Sequence, residues 1–238
     1  MVNRIPASIG IIPDGNRRFA KRLMKRPWKG HEWGASKVKT VFGWCRELGI
    51  KTITFYALSL ENIRNRPKRE LGFLFSLARK ESEEMLENRD SFVHKNRVRV
   101  NFIGKLEKLP KDLQRALKKA EDMTKGYNSY TINFAIAYGG RQEIVDACRA
   151  VALDVANGRL RPDEVNESVL KHSLYTNGGA DPDLIIRTGG ERRLSNFLLF
   201  QSAYSELAFI DSLWPEMTKE EFLGAIKDYS MRERRFGR

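Results

Sequence analysis

Two cysteines in 238 residues exclude a disulfide-stapled scaffold and supply too few thiols for a thiolate zinc centre. Cys45 and Cys148 each fall at an apolar position of a helical pattern, which predicts small buried side chains and a reduced, cytoplasmic setting. No stretch approaches the roughly 18 consecutive apolar residues that a membrane helix needs. The N-terminal MVNRIPASIGII lacks the charged, apolar, then small-residue order of a cleaved leader, so neither a span nor a signal peptide is expected. The most apolar segment, NFLLFQSAYSELAFIDSLW, is broken by Gln201, Glu206 and Asp211 and predicts a packed core or a subunit interface. Also missing are a Walker loop, the three-glycine dinucleotide spacing and a defensible Ser, His, Asp nucleophile set. His94 and His172 lie in charged segments without ligand spacing. There is no internal repeat and no low-complexity linker.

What is present is an ordinary globular composition, 41% hydrophobic and 31% charged, in a chain long enough for one large core. We expect a single domain over residues 1–238. The charge is less ordinary. Lys and Arg total 43 against 30 Asp and Glu, a net +13, which points to anionic partners: phosphorylated metabolites, nucleic acid or an acidic membrane surface.

Short β-like runs alternate with amphipathic helical stretches. SIGII (8–12), TITFYAL (52–58), VRVNFIG (98–104), TINFAIAY (131–138), DLIIRT (183–188) and ELAFI (206–210) are rich in β-branched and aromatic residues. Between them, helical spacing relates Val38, Val41, Phe42 and Cys45, then Leu71, Leu74, Phe75 and Ala78. It recurs in Leu113, Ala116, Leu117 and Ala120, and in Ile144, Cys148, Val151 and Val155. This alternation predicts an α/β fold with an open, mostly parallel six-stranded sheet flanked by helices. Ligands bind such sheets beyond the carboxyl ends of the strands, and the strand ends here are unusual. They read PDGNRR, SLENIRNRP, YGGR and RTGGERRLSN, delivering Gly, Asn, Ser, Arg and carboxylates to one edge.

In PDGNRR, Gly15 permits a tight turn whose following amides can face an anion, and Arg17 and Arg18 can add charge-assisted contacts to phosphate oxygens. Asp14 would be repelled by a phosphate unless a divalent cation bridges them, which implies Mg²⁺ if a diphosphate binds. The alternative is that Asp14 only shapes a turn and the arginines are solvated. RTGGERRLSN offers a second cradle of Arg187, Arg193, Ser195 and backbone amides. Ser59, Glu61 and Asn62 follow a strand and can order a substrate or merely form a turn. Glu206 is a carboxylate in an apolar run and needs a cation, a metal or solvent.

These blocks resemble the cis-prenyltransferase family. DGNRRFA, the GH pair at 30 and 31, YALSLEN with a later RP, NFAIAYGGR, DLIIRTGGERRLSNFLLFQSAYSEL and RERRFG occur in the family's order over nearly the whole chain. The DDxxD motif of the all-helical trans-prenyltransferases is absent. The resemblance implies Mg²⁺-assisted condensation of isopentenyl diphosphate with an allylic prenyl diphosphate through a cis double bond. It implies that Asp14 binds the metal, and that Gly15, Asn16, Arg17, Arg18, His31 and Arg66 hold the allylic diphosphate. Asn16 and Ser59 would lie near the reacting carbons, Arg187, Arg193 and Ser195 would hold isopentenyl diphosphate, and Glu206 would reach the metal of a neighbouring subunit. The Arg235 and Gly237 tail matches members that form homodimers. No nucleic acid is implied, and contact with a membrane would be peripheral, through the product.

Phe55, Leu58, Phe75 and Phe134 are expected to wall a tunnel for the growing tail, the alternative being plain core packing. Three departures stand out. The family's ENW and RP appear as ENIRNRP, Pro27 stands where an arginine is common, and Arg192 replaces a histidine of some members. Three competing readings remain: a family member making a short or non-head-to-tail prenyl product, which the altered ENIRNRP loop keeps open, a basic nucleic-acid-binding protein, and a weak subunit that serves a partner prenyltransferase.

Overall fold

The computed structural model describes residues 4–232; the Arg235 and Gly237 tail lies outside them. The chain runs β1 (Ser8–Ile12), α1 (Asn16–Arg22), α2 (Gly30–Leu48), β2 (Thr52–Ser59), α3 (Leu60–Asn65), α4 (Lys68–Glu87), α5 (Phe92–Lys95) and β3 (Val98–Ile103). It continues through α6 (Lys111–Thr124), β4 (Tyr130–Tyr138), α7 (Gly140–Ala156), α8 (Glu167–Ser173), β5 (Leu184–Arg187), β6 (Glu206–Phe209) and α9 (Lys219–Met231). All six expected strands form one sheet in the order β3-β4-β2-β1-β5-β6, and every pairing is parallel. The open α/β fold is therefore as expected, with no antiparallel edge among the described residues.

The near-continuous apolar runs explain this, because a strand covered on both faces needs no polar alternation. All five residues of β1 are buried, as are all four of β5. These two strands lie side by side, yet the chain leaves β1 toward β2 on one side and β5 toward β6 on the other. The crevice beyond their carboxyl ends is thus the switch point of the sheet, the place where a ligand site is expected.

The helix faces agree with the apolar spacing in α2 and α6 but not in α7. There the buried residues are Gly140, Glu143, Ala147 and Val151, while Ile144 and Val155 are only partly covered and Cys148 is exposed. The expectation that Cys148 is a buried hydrophobe is corrected; Cys45 meets it. The reason is Glu143, whose carboxylate accepts hydrogen bonds from the Tyr138 hydroxyl, Tyr175 N (3.0 Å) and Gln201 Nε2 (3.1 Å). Those partners turn a charged position inward, and burial raises the carboxyl's pKa.

Candidate active site

Two chambers meet beyond the ends of β1 and β2. The first is a polar basin of about 350 Å³ lined by Pro13, Asp14, Gly15, Asn16, Arg17, Arg18, Lys21, His31 and Arg66. Every residue expected to hold an allylic diphosphate is in that set. Lys21 was not foreseen, although its place one turn beyond Arg17 on α1 was a usable signal.

The second chamber is apolar. Its floor is the sheet itself, where Phe55, Phe134 and Phe102 are paired across β2, β4 and β3 and stack at 5.7 Å between ring centroids. Its walls come from α2 and α4, and Leu58 and Phe75 also face it, so all four residues expected to line a tunnel do so. Pro13, Asn16 and His31 line both chambers. An anion in the basin and an apolar tail in the second chamber can therefore belong to one molecule.

Asp14 organises the basin's inner rim. Its Oδ1 accepts from Gly15 N at 2.6 Å and stands 3.4 Å from Arg18 Nη2, and its Oδ2 accepts from Arg187 Nη2 at 2.8 Å. Arg187, 5% exposed at the end of β5, donates through Nη1 to the Arg193 carbonyl (2.5 Å) and to Ser195 Oγ (2.7 Å). The buried Arg187 Nε has no partner among the described residues. Thr188, another residue not foreseen, donates its hydroxyl to the Asp14 carbonyl at 2.9 Å and clamps the two loops together. That approach is very close. Gly189 has φ +86°, and a Cβ there would sit 3.2 Å from the Asp14 carbonyl carbon and oxygen, so glycine suits the second turn where it passes behind the first.

The remaining expected residues are placed as follows. Arg66 reaches His31 Nε2 (3.2 Å), Asn62 Oδ1 (2.9 Å) and Glu70 Oε1 (3.0 Å), so the altered ENIRNRP loop, folded as α3, still brings it to the basin. Ile63 packs against the core instead. Glu70, 2% exposed, also lies 3.6 Å from Arg17 Nε and is the buried carboxylate that holds two basin arginines in place. Its spacing of four residues from Arg66 is the sequence signal for this pair.

Asn16 donates to the Pro13 carbonyl at 3.0 Å, while its Oδ1 is buried without a hydrogen-bond partner among the described residues. Ser59 caps α3 by accepting from Asn62 N (3.0 Å), and it is not among the residues lining either chamber. The Arg193 guanidinium is exposed and pairs with Glu191 at 2.5 Å. Glu206 opens β6 opposite Leu184, at the far end of the strand pair from Arg187, and accepts from Arg232 at 2.7 Å. Within one chain it is not part of the Asp14 cluster. Arg26 lies over the Trp28 ring, and Pro27 begins the short turn before α2.

A family model described as "Putative undecaprenyl diphosphate synthase" matches residues 12–237. The chain belongs to the cis-prenyltransferase family. It is 52% identical over 235 residues to the geranylgeranyl-diphosphate-specific tritrans,polycis-undecaprenyl-diphosphate synthase of Methanopyrus kandleri, covering 99% of this chain and 86% of that one. The enzyme of the same name from Thermococcus kodakarensis is 46% identical over 234 residues, covering 98% and 88%. Among solved structures, lavandulyl diphosphate synthase from Lavandula x intermedia, in complex with dimethylallyl diphosphate, superposes with a TM-score of 0.89 at 35% identity, covering 100% and 99%. A probable undecaprenyl diphosphate synthase from Campylobacter jejuni gives 0.80 at 33%, covering 99% and 100%. The nucleic-acid reading is set aside. The protein is a prenyltransferase that joins isopentenyl diphosphate to an allylic prenyl diphosphate and forms a cis-polyprenyl diphosphate.

For a cis-prenyltransferase the electrostatics of the free basin are informative. Burial first, and then the Arg66 and Arg17 charges, push the His31 imidazole from 6.5 down to about 3, so it is uncharged at neutral pH. Because the folded value is the lower one, the unfolded chain binds an extra proton here between pH 6.5 and 3. Stability from this group therefore falls as pH drops through that window. NMR titration should find His31 unprotonated at pH 6.5, where an ordinary imidazole is half-protonated. Inorganic diphosphate, which offsets the guanidinium charges, should move its midpoint upward. A midpoint near 6.5 in the free protein would contradict this account of the basin.

Proposed function

We propose that the chain extends geranylgeranyl diphosphate by successive cis additions to an undecaprenyl-length product, as a Mg²⁺-dependent homodimer acting through a single catalytic domain. The observation that carries this reading is the shared wall of Pro13, Asn16 and His31 between a cationic basin and an aromatic-floored chamber. The primer and product length follow the names of the relatives at 46–52% identity. Glu206 fits the dimer reading, because it is remote from Asp14 in its own chain; serving a neighbour's site would mean giving up its pairing with Arg232.

The donor set suits Mg²⁺. That ion keeps several waters and takes one or two protein carboxylates plus substrate phosphates, rather than a dedicated protein cage. Among the described residues no group of three His, Cys, Asp or Glu side chains is gathered for a metal, whereas Asp14 stands alone at the basin rim with its side chain 32% exposed. Asp14 would hold the ion, with Glu206 of a second copy as the further carboxylate, and the bound ion would neutralise charge on the diphosphates.

The chain's own residues do the rest. Arg17, Arg18, Lys21 and Arg66 surround the position of the leaving diphosphate, and as preorganised donors they favour the state in which the carbon–oxygen bond is breaking. Asn16, its amide anchored on the Pro13 carbonyl, lines the junction where the allylic carbon gains positive charge. Phe55, Phe75 and Phe134 keep water from that centre. Arg187, Arg193 and Ser195 position isopentenyl diphosphate, whose terminal carbon bonds to the allylic carbon as diphosphate departs and one proton is lost. Ser59 acts on that geometry through the start of α3.

The test supplies Mg²⁺ and labelled isopentenyl diphosphate with allylic primers of increasing length, and resolves products by size and double-bond geometry. Cis-extended chains made best from geranylgeranyl diphosphate are expected. In Arg193→Ala the KM for isopentenyl diphosphate should rise about tenfold or more while the KM for the primer holds, as expected for loss of one charged contact. A shorter preferred primer would overturn the proposed specificity, and a branched product would overturn the proposed cis addition.

A further inference from the structure

The end of α1 and the segment joining it to α2 carry a feature of which the reaction uses only Lys21. Residues 21–26, KRLMKR, are all exposed, and four of the six are cations. The helix ends there in a Schellman turn, with Lys25 N donating to the Ala20 carbonyl at 2.9 Å and Met24 N to the Lys21 carbonyl at 3.0 Å. The left-handed position of that turn, which favours Gly or Asn, is occupied by Met24 at φ +53°. Its side chain is 96% exposed, so neither the backbone nor packing accounts for a methionine.

Beside it Leu23 is 46% exposed, and Trp33, edge-on to Phe19 at 5.3 Å, is 39% exposed. Around this apolar tip stand Lys21, Arg22, Lys25, Arg26 and Lys29; Arg22 is paired with Glu216 at 3.0 Å and Lys29 with Glu32 at 2.8 Å, which leaves Lys21, Lys25 and Arg26 without a carboxylate partner among the described residues. Lys21 and Lys25 make no side-chain ion pair or hydrogen bond among the described residues, and Arg26 and Arg69 flank the Trp28 ring at 5.7 Å each.

We propose that this tip docks the protein on an anionic lipid bilayer, with Met24 and Leu23 entering between headgroups and the surrounding cations pairing with lipid phosphates. Protruding aliphatic side chains ringed by Lys and Arg suit an interface that is apolar inside and anionic at its surface. A single-stranded nucleic acid instead wants a groove with stacking aromatic faces, and Trp28 already has a cation on its ring. The position is also apt. Lys21 belongs to both the tip and the basin, so a docked protein holds the entrance for a prenyl diphosphate headgroup at the membrane. That last point rests on the proposed substrates, whereas the docking does not.

The experiment sediments the full chain with phosphatidylcholine vesicles, with and without phosphatidylglycerol, and without substrates, so its failure is distinct from failure of the proposed reaction. Binding to the anionic vesicles alone, released by salt, is expected. Lys25→Gln should weaken it on the order of fivefold. Met24→Asn, which keeps a residue suited to the left-handed turn, should weaken it about tenfold through lost apolar burial. It should also leave turnover of detergent-dispersed substrates unchanged. The basic face of α6 is the control, and Arg115→Gln should bind vesicles as the parent does. Absence of vesicle binding overturns the proposal. So does binding that Arg115→Gln loses and the tip variants keep, or tighter retention of the tip on single-stranded RNA than on vesicles at the same salt.

Discussion

Asp14→Ala should lose turnover by at least a hundredfold, the scale seen when one preorganised transition-state group is removed. The structure adds a reason to pair it with Asp14→Asn. The Asp14 carboxylate also accepts from Gly15 N and from the buried Arg187, and alanine strips a mostly buried cation of an acceptor as well as removing the proposed metal ligand. Unpairing a buried charge costs stability independently of catalysis. Asparagine keeps an oxygen for Gly15 N or Arg187 and removes the charge that a divalent cation needs. Both variants should therefore be nearly inactive, while only the alanine variant should unfold at a clearly lower temperature. Parental kcat and an unchanged Mg²⁺ titration in Asp14→Asn would remove Asp14 from the metal site.

Gly30→Ala is expected to have the second-largest effect, although it adds only one methyl group. A Cβ at residue 30 would fall 1.8 Å from the Asn16 carbonyl oxygen and 2.6 Å from its carbonyl carbon. Both neighbours are backbone, so α1 or α2 must move. Overpacking of this kind costs about 1–3 kcal/mol, which in a chain of this length corresponds to a thermal midpoint lower by roughly 2–12 °C. The functional loss should be larger than the stability loss suggests. Asn16 and His31 both border the junction of the two chambers, and a displacement of about 1 Å at a reacting centre can cost about a hundredfold in rate. Measured by melting and by single-turnover condensation, a variant with parental melting and rate would show that the two helices are not in the contact described.

The local patterns in this chain were informative to different depths. Strands such as SIGII and DLIIRT read correctly because burial on both faces demands an apolar run, and that demand is written residue by residue. The chemistry of PDGNRR and RTGGERRLSN was legible for a similar reason, since a glycine turn after such a strand is itself a local signal. The rotation of α7 was not legible. Its inward face is set by Glu143, whose partners Tyr138, Tyr175 and Gln201 include residues up to 58 positions away, so apolar spacing alone exposed the wrong side and misplaced Cys148.

Order along the chain was thus enough to specify the alternation of strands and helices, the anionic preference and the identity of most groups at the basin. Convergence was decided in three dimensions. Asp14 meets Arg187 across 173 positions, and Arg66 meets His31 across 35, because adjacent parallel strands bring distant loops to one edge. Which aromatic residues form a chamber floor rather than solid core also depends on register, since Phe55, Phe134 and Phe102 align only once β2, β4 and β3 are paired. Pairing register and close backbone approach are properties of the packed chain, and nothing in a linear spacing of residues encodes the distance between two loops that only the sheet brings together.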